Sequence, residues 1–120
     1  MSQNRRMLLA EDTEADTELF LERFGDMIAI DVARDLSEAV EFLDSFDYDL
    51  CVLDVMLGLD NGYEILAYIT EHQIPVDPII IASDVVTIPA ISYENVVYTS
   101  KNNLTECIEK ILTPRVDISV

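Results

Sequence analysis

The sequence predicts an α/β fold in which a five-stranded parallel sheet is covered by helices on both faces. Short apolar runs alternate with amphipathic stretches, and this alternation occurs five times along the chain, as in repeated strand–helix units. The apolar runs are nearly continuous, which is typical of strands that are buried on both sides and joined by right-handed crossovers. The chain has 120 residues, half of them hydrophobic, and this length suits one domain of roughly 100 to 200 residues.

The first strand–helix unit begins with the apolar run Met7 to Ala10. A helix is predicted over Thr13 to Phe24, because apolar side chains recur there near helical spacing. Thr13 with Asp16 resembles a capping box. These features predict strand one followed by helix one.

The second unit has a strand over Ile28 to Ala33 and a helix opened by Asp35 and Glu38, residue types that favour a helix N-terminus. The helix places these apolar side chains on one face: Leu36, Ala39, Val40 and Leu43. The same logic therefore predicts strand two and helix two.

The third strand, Leu50 to Leu53, is apolar throughout. Asn61 with Glu64 predicts the start of the third helix, which ends near His72, before Pro75. Its inward side chains are Ile65, Leu66 and Ile69. His72 is the one histidine of the chain, and we expect it to face solvent.

The runs Ile79 to Ala82 and Val96 to Thr99 are the fourth and fifth strands. The segment from Ser83 to Asn95 mixes β-branched residues with a proline, so we predict a short or distorted fourth helix there. Asn103 and Glu106 are predicted to cap the final helix. Pro114 is predicted to end that helix. Its inward side chains are Leu104, Ile108, Ile111 and Leu112.

Charge and composition limit the classes of partner. The formal net charge is −17, and such a surface repels nucleic-acid phosphates and anionic lipids, so we expect no direct binding to nucleic acid or membrane. No apolar run approaches the roughly 20 residues of a membrane span, and the N-terminal apolar stretch is too short for a signal peptide. We therefore predict a cytoplasmic protein, with Cys51 and Cys107 as reduced, buried thiols.

Polar side chains follow four of the five predicted strands, at the point where each ends. They are Glu11 and Asp12, Asp54, Ser83 and Asp84, and Ser100 and Lys101. Ligands of open parallel sheets bind at this edge, outside the carboxyl ends of the strands. Three neighbouring carboxylates repel one another unless they are protonated or neutralised, and a hard divalent cation with oxygen ligands neutralises them.

Lys101 adds an anion-binding group to this edge. It is the only basic residue between Arg34 and Lys110. With the hydroxyl of Ser83, the site would contain a carboxylate nucleophile, a Mg²⁺ position and two donors for phosphoryl oxygens. This combination suggests phosphoryl transfer onto Asp54.

Over essentially its whole length the chain resembles the receiver domain of two-component response regulators. The matching segments are MLLAEDTEADTELFLERF, YDLCVLDVMLGLDNGYEIL, PIIIAS and VVYTSKNNL, and Gly62 fits the family's glycine before the third helix. The resemblance implies a flavodoxin-like (βα)5 three-layer sandwich with strand order 2-1-3-4-5. It also implies a receiver domain over residues 1–114, with residues 115–120 as a C-terminal tail or the start of a linker.

The resemblance implies a role for each residue of the acidic edge. Asp54 would accept a phosphoryl group from a sensor histidine kinase or a phosphotransfer protein. Asp12 would bind Mg²⁺ directly, Glu11 through water, and Met56 through its backbone carbonyl. Lys101 would bind the phosphoryl oxygens.

The resemblance also implies an output. Ser83 would move to hydrogen-bond the phosphoryl group, and Tyr98 would turn inward with it as the aromatic switch residue. A downstream effector protein or domain would sense this change, and a homodimer is possible in this family. Such a domain switches a partner and is not an enzyme, since at most it catalyses its own phosphorylation and dephosphorylation.

Three positions depart from the family pattern. Gly58 replaces a usual proline and should loosen the loop after Asp54. Asn102 replaces the proline that commonly follows the lysine through a cis bond, which could redirect Lys101. Asp84 replaces a small residue and could repel a phosphodonor. These departures leave open a degenerate receiver that works as a phosphorylation-independent interaction module.

Two other classes fit the residues less well. A small aspartyl-nucleophile phosphatase of the haloacid dehalogenase type expects a second aspartate two residues after the nucleophile, where this chain has Met56. A nucleotide or flavin protein expects a glycine-rich phosphate loop. The three glycines, Gly25, Gly58 and Gly62, form no such loop.

Overall fold

The computed structural model of the chain describes residues 5–84 and 93–113. The elements follow one another in this order: β1 (Arg6–Ala10), α1 (Glu14–Phe24), β2 (Ala29–Ala33), α2 (Leu36–Ser45), β3 (Leu50–Asp54), β4 (Met56–Leu57), β5 (Asp60–Asn61), α3 (Gly62–Glu71), β6 (Ile79–Ser83), β7 (Val96–Ser100) and α4 (Lys101–Leu112). The predicted fourth helix falls mainly on residues outside the described ranges, as does the predicted tail.

Five strands form one parallel sheet in the order β2-β1-β3-β6-β7. Counted along the sheet's own strands, this is the predicted order 2-1-3-4-5, so the α/β fold class is confirmed. The other two strands, β4 and β5, pair as a short antiparallel hairpin directly after β3, which the sequence reasoning did not predict.

The strands bury side chains on both faces, because successive residues of a strand point to opposite sides. One face packs against α2 and α3 through a core of strand residues such as Leu8 and Ile81. The other face, with Met7 and Ile80, packs against Phe24 of α1 and Ile108 and Leu112 of α4. The sheet is thus the middle layer of the predicted three-layer sandwich.

Two of the predicted helix starts are confirmed. Asn61 and Glu64 form a complete capping box at α3, with each side chain accepting from the other's backbone N–H. At α2 the Asp35 carboxylate accepts from the backbone N–H of Glu38 at 2.8 Å. Both caps satisfy N–H groups that the helix itself leaves without partners.

The two other predicted caps are wrong. Thr13 makes no side-chain cap at α1, and its backbone N–H donates instead to the Glu11 carboxylate at 3.1 Å. The last helix begins at Lys101, before the predicted cap residue, and the Ser100 hydroxyl accepts from the backbone N–H of Asn103. Both differences occur just after a strand of the sheet ends, β1 in the first case and β7 in the second.

A charged cluster lies at the start of β1, and we call its four residues the Arg6 cluster. The Arg6 guanidinium donates to Asp31 at 2.8 Å and lies over the ring of Phe46. The Tyr48 hydroxyl donates to the same Asp31 oxygen at 2.7 Å. Burial, followed by the hydrogen bond to Asp31, raises the pKa of Tyr48, so its phenol stays protonated and continues to donate.

Both cysteines are free thiols, as predicted. Cys51 lies in the core of β3, and burial raises its pKa to about 12. Cys107 is partly exposed on α4, which corrects the prediction that it is fully buried. His72 is exposed and stacks on Tyr68, as expected for a surface residue.

Candidate functional site

The parallel register brings the ends of β1 and β3 together. Ala10 pairs with Leu53, so Glu11 and Asp12 leave β1 beside Asp54, the last residue of β3. One carboxylate oxygen from each of these three residues lies within 4.8 Å of the others. We call Glu11, Asp12 and Asp54 the acidic cluster.

Asp54 is buried and both of its carboxylate oxygens have partners. Only 4% of its surface is exposed. The ammonium of Lys101 contacts Oδ2 at 2.9 Å, and the backbone N–H of Met56 donates to Oδ1 at 3.1 Å. The carboxylate therefore has a fixed orientation at the end of the sheet.

Glu11 is largely buried beside Asp54, and this environment raises the pKa of its carboxyl. Burial raises the pKa of its carboxyl to about 7, the N–H of Thr13 opposes this change, and the charge of Asp54 adds to it. Of the residues that the structure describes, Lys101 is the one cation in ion-pair contact with the cluster, through Asp54. An all-oxygen donor set with an excess of negative charge fits a hard divalent cation, so the residues present suit the magnesium ion that the sequence predicts.

Lys101 reaches the site from the first position of α4. Burial acts to lower its pKa, but the hydrogen bond and charge of Asp54 outweigh it, and the charges of Glu11 and Asp84 raise the pKa further. The ammonium is thus held charged. The departure at Asn102 does not turn Lys101 away from Asp54.

The β4–β5 hairpin lies along one side of the acidic cluster. Gly58 in its turn has φ +61°, and a Cβ built on it would lie 3.8 Å from Oδ2 of Asp12. Leu57 is buried, whereas the side chains of Met56 and Leu59 are exposed. Gly58 thus supplies the positive φ of this turn, a conformation that glycine adopts readily.

Gly62 allows the third helix to start directly against Asp54. A Cβ on Gly62 would lie 2.5 Å from the backbone oxygen of Asp54, a distance that no side-chain carbon tolerates. Its N–H donates to the carbonyl of Val55 at 3.1 Å. In the sequence, Gly62 is identifiable only through the family resemblance. The close approach to Asp54 is the physical reason that this position requires glycine.

The predicted switch residues lie on the two strands beyond Asp54. Ser83 ends β6 and pairs with Ser100, one residue before Lys101. Tyr98 of β7 packs, partly buried, against the core on the α2 and α3 side, beside a groove that Tyr63 and Tyr93 also line. The strand ends thus bring Ser83 to the edge of the site, while Tyr98 lies on the sheet's face.

A cleft of about 420 Å³ opens from the acidic cluster between α1 and α4. Glu11, Asp54 and Lys101 line its polar end. Phe20 and Leu104 are among the side chains of its apolar part. The site is therefore open to a ligand from this side of the molecule.

Among residues 5–84 and 93–113, no helix is long and apolar enough to cross a bilayer.

Comparison with known proteins gives a family match over nearly the whole chain. The model of the response regulator receiver domain matches residues 7–116. No curated protein is similar enough to match.

Solved structures show the same fold. The response regulator TrrA from Thermotoga maritima, in complex with Mg²⁺ and BeF, is 25% identical with a TM-score of 0.71, covering 90% of this chain and 99% of that one. A receiver domain protein from Bacillus halodurans is 18% identical, with a TM-score of 0.75 and coverage of 94% and 100%. A Burkholderia pseudomallei response regulator with a phosphorylated aspartic acid and a calcium ion is 19% identical, with a TM-score of 0.75 and coverage of 91% and 66%.

Proposed function

This chain belongs to the response regulator receiver domain family, and we propose that it is a phosphorylation switch whose phosphoacceptor is Asp54. The observation that carries the proposal is the contact of Lys101 with Asp54 inside a cluster of three carboxylates. A cation-binding group, a nucleophile and an anion-binding group lie together there, as phosphoryl transfer requires. The phosphorylated aspartic acid and the Mg²⁺–BeF complex of the two similar response regulators support this proposal.

In the proposed reaction, a carboxylate oxygen of Asp54 forms a bond to phosphorus, and the bond between phosphorus and the donor breaks. The donor keeps the electron pair of that bond. When the donor is a phosphohistidine of a sensor kinase or phosphotransfer protein, the leaving imidazole takes up a proton from solvent. The fixed orientation of Asp54, set by Met56 and Lys101, reduces the entropy cost of the attack.

Lys101 has two roles in this proposal. Before transfer it neutralises part of the charge on Asp54. As the phosphoryl group arrives, the ammonium moves to its oxygens, where a charged donor stabilises developing negative charge. Because the charges around it keep the pKa of Lys101 above its ordinary value, it remains protonated throughout.

The proposed metal is Mg²⁺, which Asp12, Asp54 and the backbone carbonyl of Met56 would hold, with Glu11 contributing through water. When bound, the ion neutralises the carboxylates and draws charge from the phosphoryl oxygens. The grouping of three carboxylates at the end of the sheet supports this site, and a bound cation would favour the charged form of Glu11, which burial opposes.

The proposed output is a conformational change of Ser83 and Tyr98, which lie on β6 and β7. A phosphoryl group adds about −1.5 to −2 charges and three acceptor oxygens, which Ser83 at the edge of the site would contact. Tyr98 would then turn further inward, and an effector protein or domain would recognise the altered surface. The proposed location is the cytoplasm, where the kinase catalytic domain and its ATP are found.

The test is incubation of the whole chain with acetyl phosphate and MgCl₂, followed by intact mass measurement. We expect the mass to rise by one phosphoryl group, and we expect Asp54→Asn or EDTA to prevent the rise. Asp47→Asn is the matched control, since it makes the same change at an exposed loop carboxylate and should be phosphorylated normally. No rise with acetyl phosphate, or with a kinase, would refute the proposal.

A second candidate function is a degenerate receiver that binds a partner without phosphorylation. Asp84 favours it, because its charge acts on Lys101 at the entrance that an anionic donor would use. Asp84→Ala discriminates between the two candidates. If Asp84 only slows the donor, the variant is phosphorylated faster than the unsubstituted chain; if the domain is degenerate, neither is phosphorylated.

A further inference from the structure

Asp60 connects the β4–β5 hairpin to the N-terminus of α2, a helix that lies earlier in the sequence. It lies on the return strand of the hairpin, opposite Leu57. Its Oδ2 accepts from the backbone N–H of Leu36 at 3.1 Å, and Leu36 is the first residue of α2. Such an N–H has no partner within the helix, so the carboxylate satisfies it and gains from the positive end of the helix.

The hairpin that Asp60 anchors contacts the acidic cluster at both of its ends. Its first residue, Met56, donates its backbone N–H to Asp54. The turn residue Gly58 lies beside Asp12, where an added Cβ would be 3.8 Å from Oδ2. The position of this hairpin therefore determines where the Met56 backbone lies relative to the carboxylates.

The hairpin cannot hold this position by its own pairing. Each of its strands has two residues, and isolated two-stranded hairpins are marginally stable even when they are longer. The buried side chain of Leu57 fixes one side of it. The carboxylate of Asp60 fixes the other side through α2.

We propose that Asp60 is a positioning residue for the metal site: by bonding to the N-terminus of α2, it fixes the hairpin that carries the Met56 carbonyl beside Asp12 and Asp54. This inference rests on the proposed function, because it assigns Asp60 to the Mg²⁺ site described there. Asp60 itself does not touch the acidic cluster in this arrangement; it acts through the hairpin.

The alternative is that Asp60 only caps α2, and the chain provides a matched control for that role. Asp35 caps the same helix by accepting from Glu38, but it does not belong to the hairpin. Asp60→Ala and Asp35→Ala each remove one carboxylate from the same helix N-terminus. Only the first removes an anchor of the hairpin.

The experiment is calorimetric titration of the whole chain and its variants with MgCl₂. We expect Asp60→Ala to weaken Mg²⁺ binding about tenfold, as loss of a group that orients a ligand commonly does. Asp35→Ala should bind like the unsubstituted chain, and Asp60→Asn should recover most of the affinity, because its amide oxygen still accepts from Leu36. Unchanged binding by Asp60→Ala, or equal weakening by Asp35→Ala, would overturn the inference.

A second measurement separates this inference from the proposed function. In EDTA, we expect backbone amide exchange at Met56 and Leu57 to be faster in Asp60→Ala but not in Asp35→Ala, because hairpin anchoring does not need the ion. Unchanged exchange would overturn the inference even if magnesium binds normally. Absence of any Mg²⁺ binding by the unsubstituted chain would instead refute the proposed metal site, and with it the assignment of Asp60 to that site.

Discussion

The two ends of strand β1 carry charged residues that are balanced in opposite ways. At its start, the Asp31 carboxylate receives both the Arg6 guanidinium and the Tyr48 hydroxyl. At its end, Lys101 contacts Asp54 within a cluster of three carboxylates, and it is the one ammonium to do so among residues 5–84 and 93–113. The comparison shows a carboxylate paired with a guanidinium and a hydroxyl at one end of the strand, and three carboxylates beside one contacting ammonium at the other.

The difference has an energetic meaning. A balanced cluster stabilises the folded chain by itself, since each buried donor and acceptor has a partner. An unbalanced cluster opposes folding through the repulsion between its carboxylates. If Mg²⁺ binds there as proposed, its binding free energy adds to stability. The following predictions test this comparison, from the largest expected effect to the smallest.

Gly62→Ala should disturb the acidic end most strongly. The new methyl would meet the backbone oxygen of Asp54 at 2.5 Å, so α3 or the end of β3 must move. We expect a loss of about 3 kcal/mol in the free energy of unfolding, typical of severe overpacking, together with slower phosphorylation of Asp54. Urea unfolding and acetyl phosphate labelling measure the two effects, and an unchanged variant would contradict the close packing.

Magnesium should stabilise the acidic end and leave the Arg6 cluster unaffected. At a Mg²⁺ concentration of 100 times Kd, binding to the folded state alone adds about 2.7 kcal/mol. We expect Asp12→Asn to lose most of this increment and Tyr48→Phe to keep it. Thermal unfolding with and without MgCl₂ measures it, and an equal loss in both variants would show that the two ends are not independent.

Lys101→Gln should increase the charge imbalance. Removing the ammonium leaves Asp54 and Glu11 without their cation, which we expect to cost about 2 kcal/mol without metal, less than for a fully buried pair because Lys101 is partly exposed. The same change should tighten Mg²⁺ binding, since one cation no longer repels another. Lys110→Gln, on the exposed part of α4, should leave both quantities nearly unchanged.

Tyr48→Phe tests the balanced end. It removes a hydrogen bond to a charged acceptor in a buried setting, and we expect a loss of about 1 kcal/mol in the free energy of unfolding. Tyr68→Phe removes a comparable bond to Asp44 that is exposed to solvent, and it should have little effect. Phosphorylation of Asp54 should be normal in both variants; a change in Tyr48→Phe would link the two clusters.

The sequence could predict the parts of the site that depend on local order along the chain. Glu11, Asp12, Asp54 and Lys101 were identifiable because each follows an apolar strand, and parallel strands end at one edge. The capping box of Asn61 with Glu64 was predictable for the same reason, since its two partners are three residues apart.

The features that were missed involve both local and distant pairs. The capping prediction for Thr13 was wrong: its side chain makes no cap, and its backbone N–H donates to Glu11, two residues earlier. The bond from Asp60 to Leu36 joins residues 24 positions apart, and no local pattern marks it. The β4–β5 hairpin has one weak signal in the sequence, Gly58. This glycine predicts a more mobile loop, and in the structure it forms a turn with positive φ.

By itself, the sequence determined the layered fold, the strand order that the family resemblance implied, and the residues that meet at the acidic edge, because apolar periodicity and strand ends are encoded within short segments. Only the tertiary structure decided how charge is balanced at each end of β1. A carboxylate's partners come from other strands and helices, and their distances and burial exist only once the chain is packed. The tertiary structure thus distinguishes Asp31, whose Oδ2 accepts from Arg6 and Tyr48, from Asp54, which lies with two further carboxylates beside Lys101.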